Sequence, residues 1–98
     1  MARYRLSRHA TEDLRRLYRF GIEQFGLPQA DSYFDGLFDR FDQLTENPHL
    51  YRAVDEIRPG YRRSVFGGHA IYYRVDGDSI EVMRVLARED PTIVSADE

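Results

Sequence analysis

Two kinds of apolar spacing divide this chain at Asn47-Pro48, and this division constrains the fold more than any other feature. Before it, apolar residues recur at steps of three and four, as on one face of a helix. After it, short apolar runs are separated by Gly67-Gly68 and Asp76-Gly77, which are typical of hairpins because two-residue loops need positive φ. We therefore expect helices first and most of the strands second.

The first half is predicted to form two helices with a very short connection. Ser7 is a candidate N-cap and Gly26 a candidate stop, while Pro28 suits the first turn of the second helix, where its missing N–H costs nothing. Helices joined by so few residues must lie antiparallel. Their predicted apolar faces consist of Ala10, Leu14, Leu17, Tyr18, Gly21 and Phe25, and of Ala30, Tyr33, Phe34, Leu37, Phe38, Phe41 and Leu44.

Strand-like segments lie before and after these two helices in the sequence. They are Arg3 to Leu6, Val54 to Arg58, Tyr61 to Phe66, His69 to Val75 and Ser79 to Leu86. The order β-α-α-β-β-β predicts an α+β fold, with an antiparallel helical hairpin packed on one face of a small, mainly antiparallel, curved sheet. The tail from Thr92 to Glu98 is expected to fray.

In the last predicted strand, both faces are half apolar. Simple alternation places Ile80, Val82 and Leu86 on the side of Arg84, and Met83 and Val85 on the side of Glu81. This pattern is typical of a sheet with helices on one face and a partner on the other.

The length and composition exclude several kinds of protein. A chain of 98 residues forms one domain, 1–98, because two halves would each be too small to close a core. With no Cys and with His9, His49 and His69 scattered, we expect no disulfide, metal or other cofactor. There is neither a bilayer-length apolar run nor a leader pattern, so we expect a cytoplasmic protein without a membrane partner.

The charges are segregated along the chain. The net charge is −3, but all 14 basic residues are Arg, whose planar fork suits carboxylates and phosphates. The acids are concentrated from Asp31 to Glu46, whereas Arg58 to Val75 contains arginines and no acid. A basic surface is therefore expected despite the acidic total.

Two residues in the strands have alternative interpretations. Arg84, between Val82-Met83 and Val85-Leu86, either lies at an edge with its guanidinium in solvent, or pairs with a buried acid or a partner's carboxylate. His69 is either a hydrogen-bonding turn residue or a catalytic base.

An ordered set of short motifs covers nearly the whole chain and resembles the ParE toxin family of the RelE/ParE superfamily. The set comprises Leu6-Ser7, Ala10, Asp13-Leu14, Leu44, Asn47-Pro48, residues 57–62 (IRPGYR), residues 68–75 (GHAIYYRV) and residues 83–86 (MRVL). The resemblance implies a RelE/ParE-like fold and a type II toxin neutralised by a ParD-like antitoxin encoded beside it. It also implies DNA gyrase as the target, with DNA contacted only indirectly through the antitoxin.

The residues favour a toxin that acts by binding over an enzyme. Cleavage of RNA needs a base, an acid and cations on the phosphate. Many relatives have a His where this chain has Ala87, and no Tyr or His follows Tyr73. We therefore assign no catalytic residue and expect these arginines to face protein partners: Arg58, Arg62, Arg63, Arg74, Arg84 and Arg88.

Two alternatives remain open at this level. The first is a RelE-like, ribosome-dependent mRNA endoribonuclease, with Arg62, Arg63 and Arg88 on the phosphate and His69 carrying the proton. The second is an inactive family member that only joins its antitoxin in repressing their own operon.

Overall fold

The computed structural model describes residues 4–88 and confirms the predicted order of elements. The elements are β1 (Tyr4–Leu6), α1 (Arg8–Phe25), α2 (Leu27–Glu46), β2 (Arg52–Ala53), β3 (Tyr61–Phe66), β4 (His69–Asp76) and β5 (Ser79–Ala87). The α+β prediction is therefore confirmed. The tail predicted to fray, Thr92 to Glu98, lies outside the described residues, and within them no helix is long and apolar enough to cross a membrane.

The predicted helix ends are confirmed at three positions. The Ser7 hydroxyl accepts a hydrogen bond from the Ala10 N–H at 3.0 Å, as an N-cap does. Gly26, with φ of 89°, ends α1 and begins α2, so the helices are joined by a single residue. Asn47 ends α2. The two helices therefore form a tight hairpin.

Within residues 4–88, the sheet has five strands in the order β1-β5-β4-β3-β2. The strands β2 to β5 form an antiparallel meander, whereas β1 pairs with β5 in parallel, with Tyr4 opposite Ile80 and Leu6 opposite Val82. The first and last strands among the described residues are thus neighbours.

The main core lies between the helical hairpin and one face of the sheet, which we call the helix face. It contains Ala10, Leu14, Leu37, Phe41 and Leu44 from the helices, and Ile71, Tyr73, Ile80, Val82 and Val85 from the sheet. The Tyr73 hydroxyl donates to the Pro48 carbonyl at 2.8 Å, and burial raises the pKa of Tyr73 to about 12. Phe25 was placed on the apolar face of α1, but it is 61% exposed because it borders an open hollow instead of the sheet.

The predicted strand from Val54 to Arg58 is wrong. The extended pairing is limited to Arg52–Ala53 and ends when the Val54 N–H donates to the Tyr61 carbonyl. The N–H groups of Ile57 and Arg58 then return to the Val54 carbonyl, which makes a turn. The buried side chain of Val54 accounts for the strand-like pattern.

The predicted alternation in β5 is also wrong beyond Val82. Tyr72 lies opposite Arg84 and Tyr73 opposite Val82, so Met83 is the extra residue of a β-bulge. Val85 therefore joins Val82 in the core, whereas Leu86 lies on the opposite face. The bulge falls where β1 ends and Ser7 bonds to the carbonyls of Val82 and Met83.

Candidate partner-binding surface

The sheet face opposite the helices, here called the far face, carries a second, smaller apolar cluster. Its buried members are Val54, Ala70, Tyr72 and Leu86, with Ile57 and Tyr61 packed against them. Val54 and Ile57 come from the segment between β2 and β3, so this turn covers part of the face. The apolar residues of the far face, Leu86 of β5 among them, are therefore covered in part by the chain itself.

Arg63 lies over this cluster. Its guanidinium carbon is 5.8 Å from the centre of the Tyr72 ring, and its Nε donates to the Tyr72 hydroxyl at 3.1 Å. Its Nη2 donates to the Arg88 carbonyl at 2.9 Å. The Arg63 guanidinium therefore lies between the Tyr72 ring and the backbone of Arg88, and both arginines are among the predicted partner-facing residues.

Arg74 belongs to a row of charges on the same face. Its Nε and Nη2 donate to one carboxylate oxygen of Glu81, at 3.1 and 2.8 Å. Arg5 contacts Glu81 at 3.6 Å and Asp76 at 2.6 Å, and it holds the pKa of Asp76 below its usual range. Because half of its side chain is exposed, Arg74 remains accessible from solvent.

The structure places Arg62 and Arg58 elsewhere. Arg62 pairs across the strands with the core residue Tyr73, and its Nη1 donates to the Tyr51 carbonyl at 2.7 Å on the helix face. Arg58 lies in the turn between β2 and β3, where its N–H donates to Val54. The six predicted arginines therefore do not form one surface.

Arg84 adopts the buried-acid alternative. Its Nε and Nη2 donate to the Asp13 carboxylate at 2.8 and 3.1 Å, and the Arg84 and Asp13 side chains are only 17% and 2% exposed. The same carboxylate accepts from the Val85 N–H at 3.0 Å. Because β1 ends before this point, the Asp13 carboxylate satisfies a β5 N–H that has lost its neighbouring strand.

Asp13 and Arg40 connect the helices to the sheet, and the sequence pattern did not predict these contacts. Asp13 follows Ala10 by three residues, so its place on the buried stripe of α1 was readable from spacing. Arg40 of α2 donates to the Ser64 hydroxyl at 2.8 Å and to the Val65 carbonyl at 2.9 Å. No sequence signal singles out Arg40, because its contacts depend on how α2 crosses the sheet.

His69 is a hydrogen-bonded turn residue. Its Nδ1 lies 2.6 Å from the Tyr33 hydroxyl, which is also 3.1 Å from the Phe66 carbonyl. Burial lowers the pKa of His69 and raises that of Tyr33. Within residues 4–88, no group of three or more His, Asp and Glu side chains is arranged to hold a metal ion.

The four residues of the ribonuclease alternative are not brought together. Arg63 contacts Arg88 on the far face. Arg62 and His69 lie on the helix face, where their strand partners are Tyr73 and Phe66, so they are separated by four positions, or about 13 Å, along the strands. His69 therefore has no contact with these arginines that would let it share a phosphate with them.

Known proteins resemble this chain in sequence and in fold. Residues 4–91 match the family described as ParE toxin of type II toxin-antitoxin system, parDE. Toxin ParE1 of Mycobacterium tuberculosis is 41% identical over 87% of this chain and 88% of its own, and Toxin ParE1 of Caulobacter vibrioides is 36% identical over 88% of each. The solved structure "Chromosomal ParDE TA system from P. aeruginosa" matches with a TM-score of 0.77 at 20% identity, over 91% of this chain and 98% of that one.

The structural match assigns the chain to a class: small α+β proteins in which a helical hairpin packs on a mixed five-stranded sheet. The family match and the similarity to the two relatives then identify the family, because each extends over most of the chain. This protein belongs to the ParE toxin family of type II toxin–antitoxin systems.

Proposed function

We propose that this toxin acts in the cytoplasm by binding a protein, with DNA gyrase as its target, and that a ParD-like antitoxin neutralises it by binding tightly. The proposal rests on the family and on one feature of the site. Of the residues that a ribonuclease would need, Arg63 contacts Arg88 on the far face, whereas His69 lies on the helix face, four strand positions from Arg62, and bonds to Tyr33. Such a site offers charge and apolar contact but no converging acid and base.

The far face has the chemistry that an acidic amphipathic segment would recognise. Arg63, stacked on Tyr72, presents a planar cation beside an apolar cluster, and the half-exposed Arg74 lies on the same face. Carboxylates bind arginine through short, charge-assisted hydrogen bonds, and apolar side chains of the same segment can cover the cluster. We place the contact with the antitoxin here, centred on Arg63.

The antitoxin contact is tested with the product of the neighbouring gene, provided that it is a small ribbon-helix-helix protein. Arg63→Glu should weaken the complex by tenfold or more, about 1.4 kcal/mol, because it places like charge against the partner's acids. Arg19→Glu, the same change at an exposed position of α1, is the matched control and should bind as the wild type does. Binding is measured by calorimetry, and equal affinities for the two variants would contradict this surface.

The gyrase target is tested separately. Purified toxin is added to gyrase from the same organism, and supercoiling of relaxed plasmid is followed with and without equimolar antitoxin. We expect supercoiling to stop and the antitoxin to restore it. Unaffected supercoiling would refute the target and would leave the antitoxin contact standing.

Two further assays separate the alternatives. If mapping of mRNA ends on translating ribosomes reveals new ends after the toxin is added, the protein is an enzyme and the proposal fails. If induction of the chain alone leaves growth normal, the protein is an inactive member that acts only with its antitoxin.

A further inference from the structure

The solvent-facing side of the helical hairpin has no part in the proposed function, and its charges follow a regular order. On α1, Arg8, Arg15 and Arg19 are exposed. They are separated by seven and four residues along the chain, and this spacing places them on one face of a helix. We call these three residues the basic row.

The exposed acids of α2 repeat this spacing in reverse. Asp42, Asp35 and Asp31 are also separated by seven and four residues, and we call them the acidic row. Within residues 4–88, the ion pairs of the structure include no member of either row. The charges of both rows are therefore available to a partner.

The two rows lie at matching levels along the hairpin. The Tyr18 hydroxyl donates to Asp31, and a Cβ added at Gly21 would lie 3.5 Å from the Ala30 Cβ. Because α1 and α2 are antiparallel, each step forward along α1 corresponds to a step backward along α2. The residues at matching levels are Arg19 and Asp31, Arg15 and Asp35, and Arg8 and Asp42.

A two-fold axis parallel to the helices would set each basic row against the acidic row of a second copy. Rotation about this axis keeps the level of every residue, so α1 of one copy faces α2 of the other and each of the three pairs forms twice. Glu12 and Asp39 also share a level and are a like-charge pair at this face. We propose that this side of the hairpin binds a second copy of the chain, with α1 against α2.

The size of this face predicts a weak dimer. α1 has 18 residues and is therefore about 27 Å long, and two adjacent helices are about 20 Å wide. A contact of these dimensions buries roughly 1,100 Å² over both copies, just below the lower limit of about 1,200 Å² for stable complexes. Exposed charge pairs are also weakened by salt. The dimer should therefore form reversibly, at high protein concentration and low ionic strength.

Sedimentation equilibrium of the full chain tests for this dimer. At low ionic strength, the average mass should rise from that of a monomer toward that of a dimer between about 10 µM and about 1 mM protein. Addition of salt to about 0.5 M should return the mass to that of a monomer. A monomer mass at every concentration would overturn the proposal, as would association that salt does not weaken.

An exchange of charges tests the pairing of the rows. In the first variant, Arg8→Glu and Arg15→Glu make α1 acidic, and in the second, Asp35→Arg and Asp42→Arg make α2 basic. Each variant alone should stay monomeric, because like charges would then meet across the axis. An equimolar mixture should form a mixed dimer, because each altered row meets a row of opposite sign. Mixing is followed by ultracentrifugation with a fluorescent label on the first variant.

The matched control replaces the second variant by Glu56→Arg, Asp78→Arg. It has the same net charge as the second variant, and its changes lie at exposed turn positions outside the hairpin. The first variant should bind it at least tenfold more weakly, because the acidic row is intact. Equal binding to both would show that net charge alone drives association and would overturn the proposal.

Circular dichroism checks that each variant is folded. If a double variant does not fold, the single changes Arg15→Glu and Asp35→Arg provide the same comparison with a smaller effect. Neither gyrase nor antitoxin enters these measurements, so their outcome is independent of the proposed function.

Discussion

At the scale of single residues, the Asp13 carboxylate joins two elements of the molecule, α1 and β5. It belongs to α1, accepts from the Arg84 guanidinium and the Val85 N–H of β5, and is also 2.6 Å from Arg16 Nη2. With its side chain only 2% exposed, it has exchanged water for these donors almost completely. A buried carboxylate of this kind is stabilised by the groups that donate to it. Removing its negative charge leaves the Arg84 and Arg16 cations without a full counter-charge.

Asp13→Asn should therefore destabilise the fold by about 2 kcal/mol, because a hydrogen bond to a charged group is replaced by one to a neutral amide of the same size. The free energy of unfolding is measured by urea denaturation. The neighbouring exposed acid supplies the control, Glu12→Gln, which should stay within about 0.5 kcal/mol of the wild type. An equal loss in the two variants would show that Asp13 makes no special contribution.

A second prediction concerns the acid side of the stability curve. Burial lowers the pKa of His69 below its ordinary value of 6.5, so the unfolded chain takes up this proton more readily than the folded one. The contribution of His69 to the free energy of unfolding is therefore complete above pH 6.5 and is lost as the pH falls below it. Urea denaturation between pH 7 and pH 5 should show a shallower decline for His69→Gln than for the wild type.

His9→Gln serves as the control for this pH dependence, since His9 is exposed on α1. It should follow the wild-type curve. If His69→Gln declines as steeply as the control does, the environment of His69 does not contribute to the acid sensitivity.

At the scale of the elements, the β3–β4 turn is more constrained than its sequence indicates. Gly67 has φ of 56°, and a Cβ added there would lie 2.8 Å from the Tyr33 hydroxyl. Gly77 in the β4–β5 turn has φ of 66°, but a Cβ there would meet nothing within 4 Å. The two glycines thus share a positive φ and differ in their surroundings.

This pair allows a matched experiment. Gly77→Ala should cost about 1–2 kcal/mol for the left-handed backbone alone, whereas Gly67→Ala should cost more because Tyr33 must also move. Thermal or urea unfolding compares the two variants, and NMR shifts of the His69 ring report whether its bond to Tyr33 is lost. Identical costs with an unchanged His69 signal would contradict the proposed crowding.

The elements also show where sequence patterns are informative. The caps and the Gly-Gly and Asp-Gly turns were predictable because they depend on local backbone geometry. The bulge at Met83 was not predictable, because it depends on tertiary contacts. It arises where β1 ends and where Ser7 and Asp13, instead of a neighbouring strand, form hydrogen bonds with β5. Val54 to Arg58 was predicted as a strand because a buried Val in a turn and a buried Val in a strand give the same short apolar run.

At the scale of the whole molecule, the fold and the family were predictable, but the surface was only partly so. Motif order along the chain predicted the family, which the family match over residues 4–91 confirms. The location of an arginine is harder to predict, because its long side chain can turn toward a backbone carbonyl, as Arg62 does, or toward a buried acid, as Arg84 does. Which arginines face a partner therefore stays a prediction.

The proposed antitoxin should stabilise the whole molecule and not only its contact surface. A ligand that binds only the folded state, at a concentration of 100 times its Kd, adds about 2.7 kcal/mol to the free energy of unfolding. Calorimetry of the toxin with its antitoxin should therefore show a higher Tm than the free chain. With Arg63→Glu the increase should shrink at equal concentration, and an undiminished increase would place the contact elsewhere.

The parallel pairing of β1 with β5 has a consequence for the newborn chain. Tyr4–Leu6 pairs with a strand that begins at Ser79, so β1 must wait during synthesis until β5 has left the ribosome. Contacts between such distant segments slow folding, because a long loop must close before they form. The helical hairpin can assemble during synthesis, but the sheet of the described residues can be completed only after β5 has been translated.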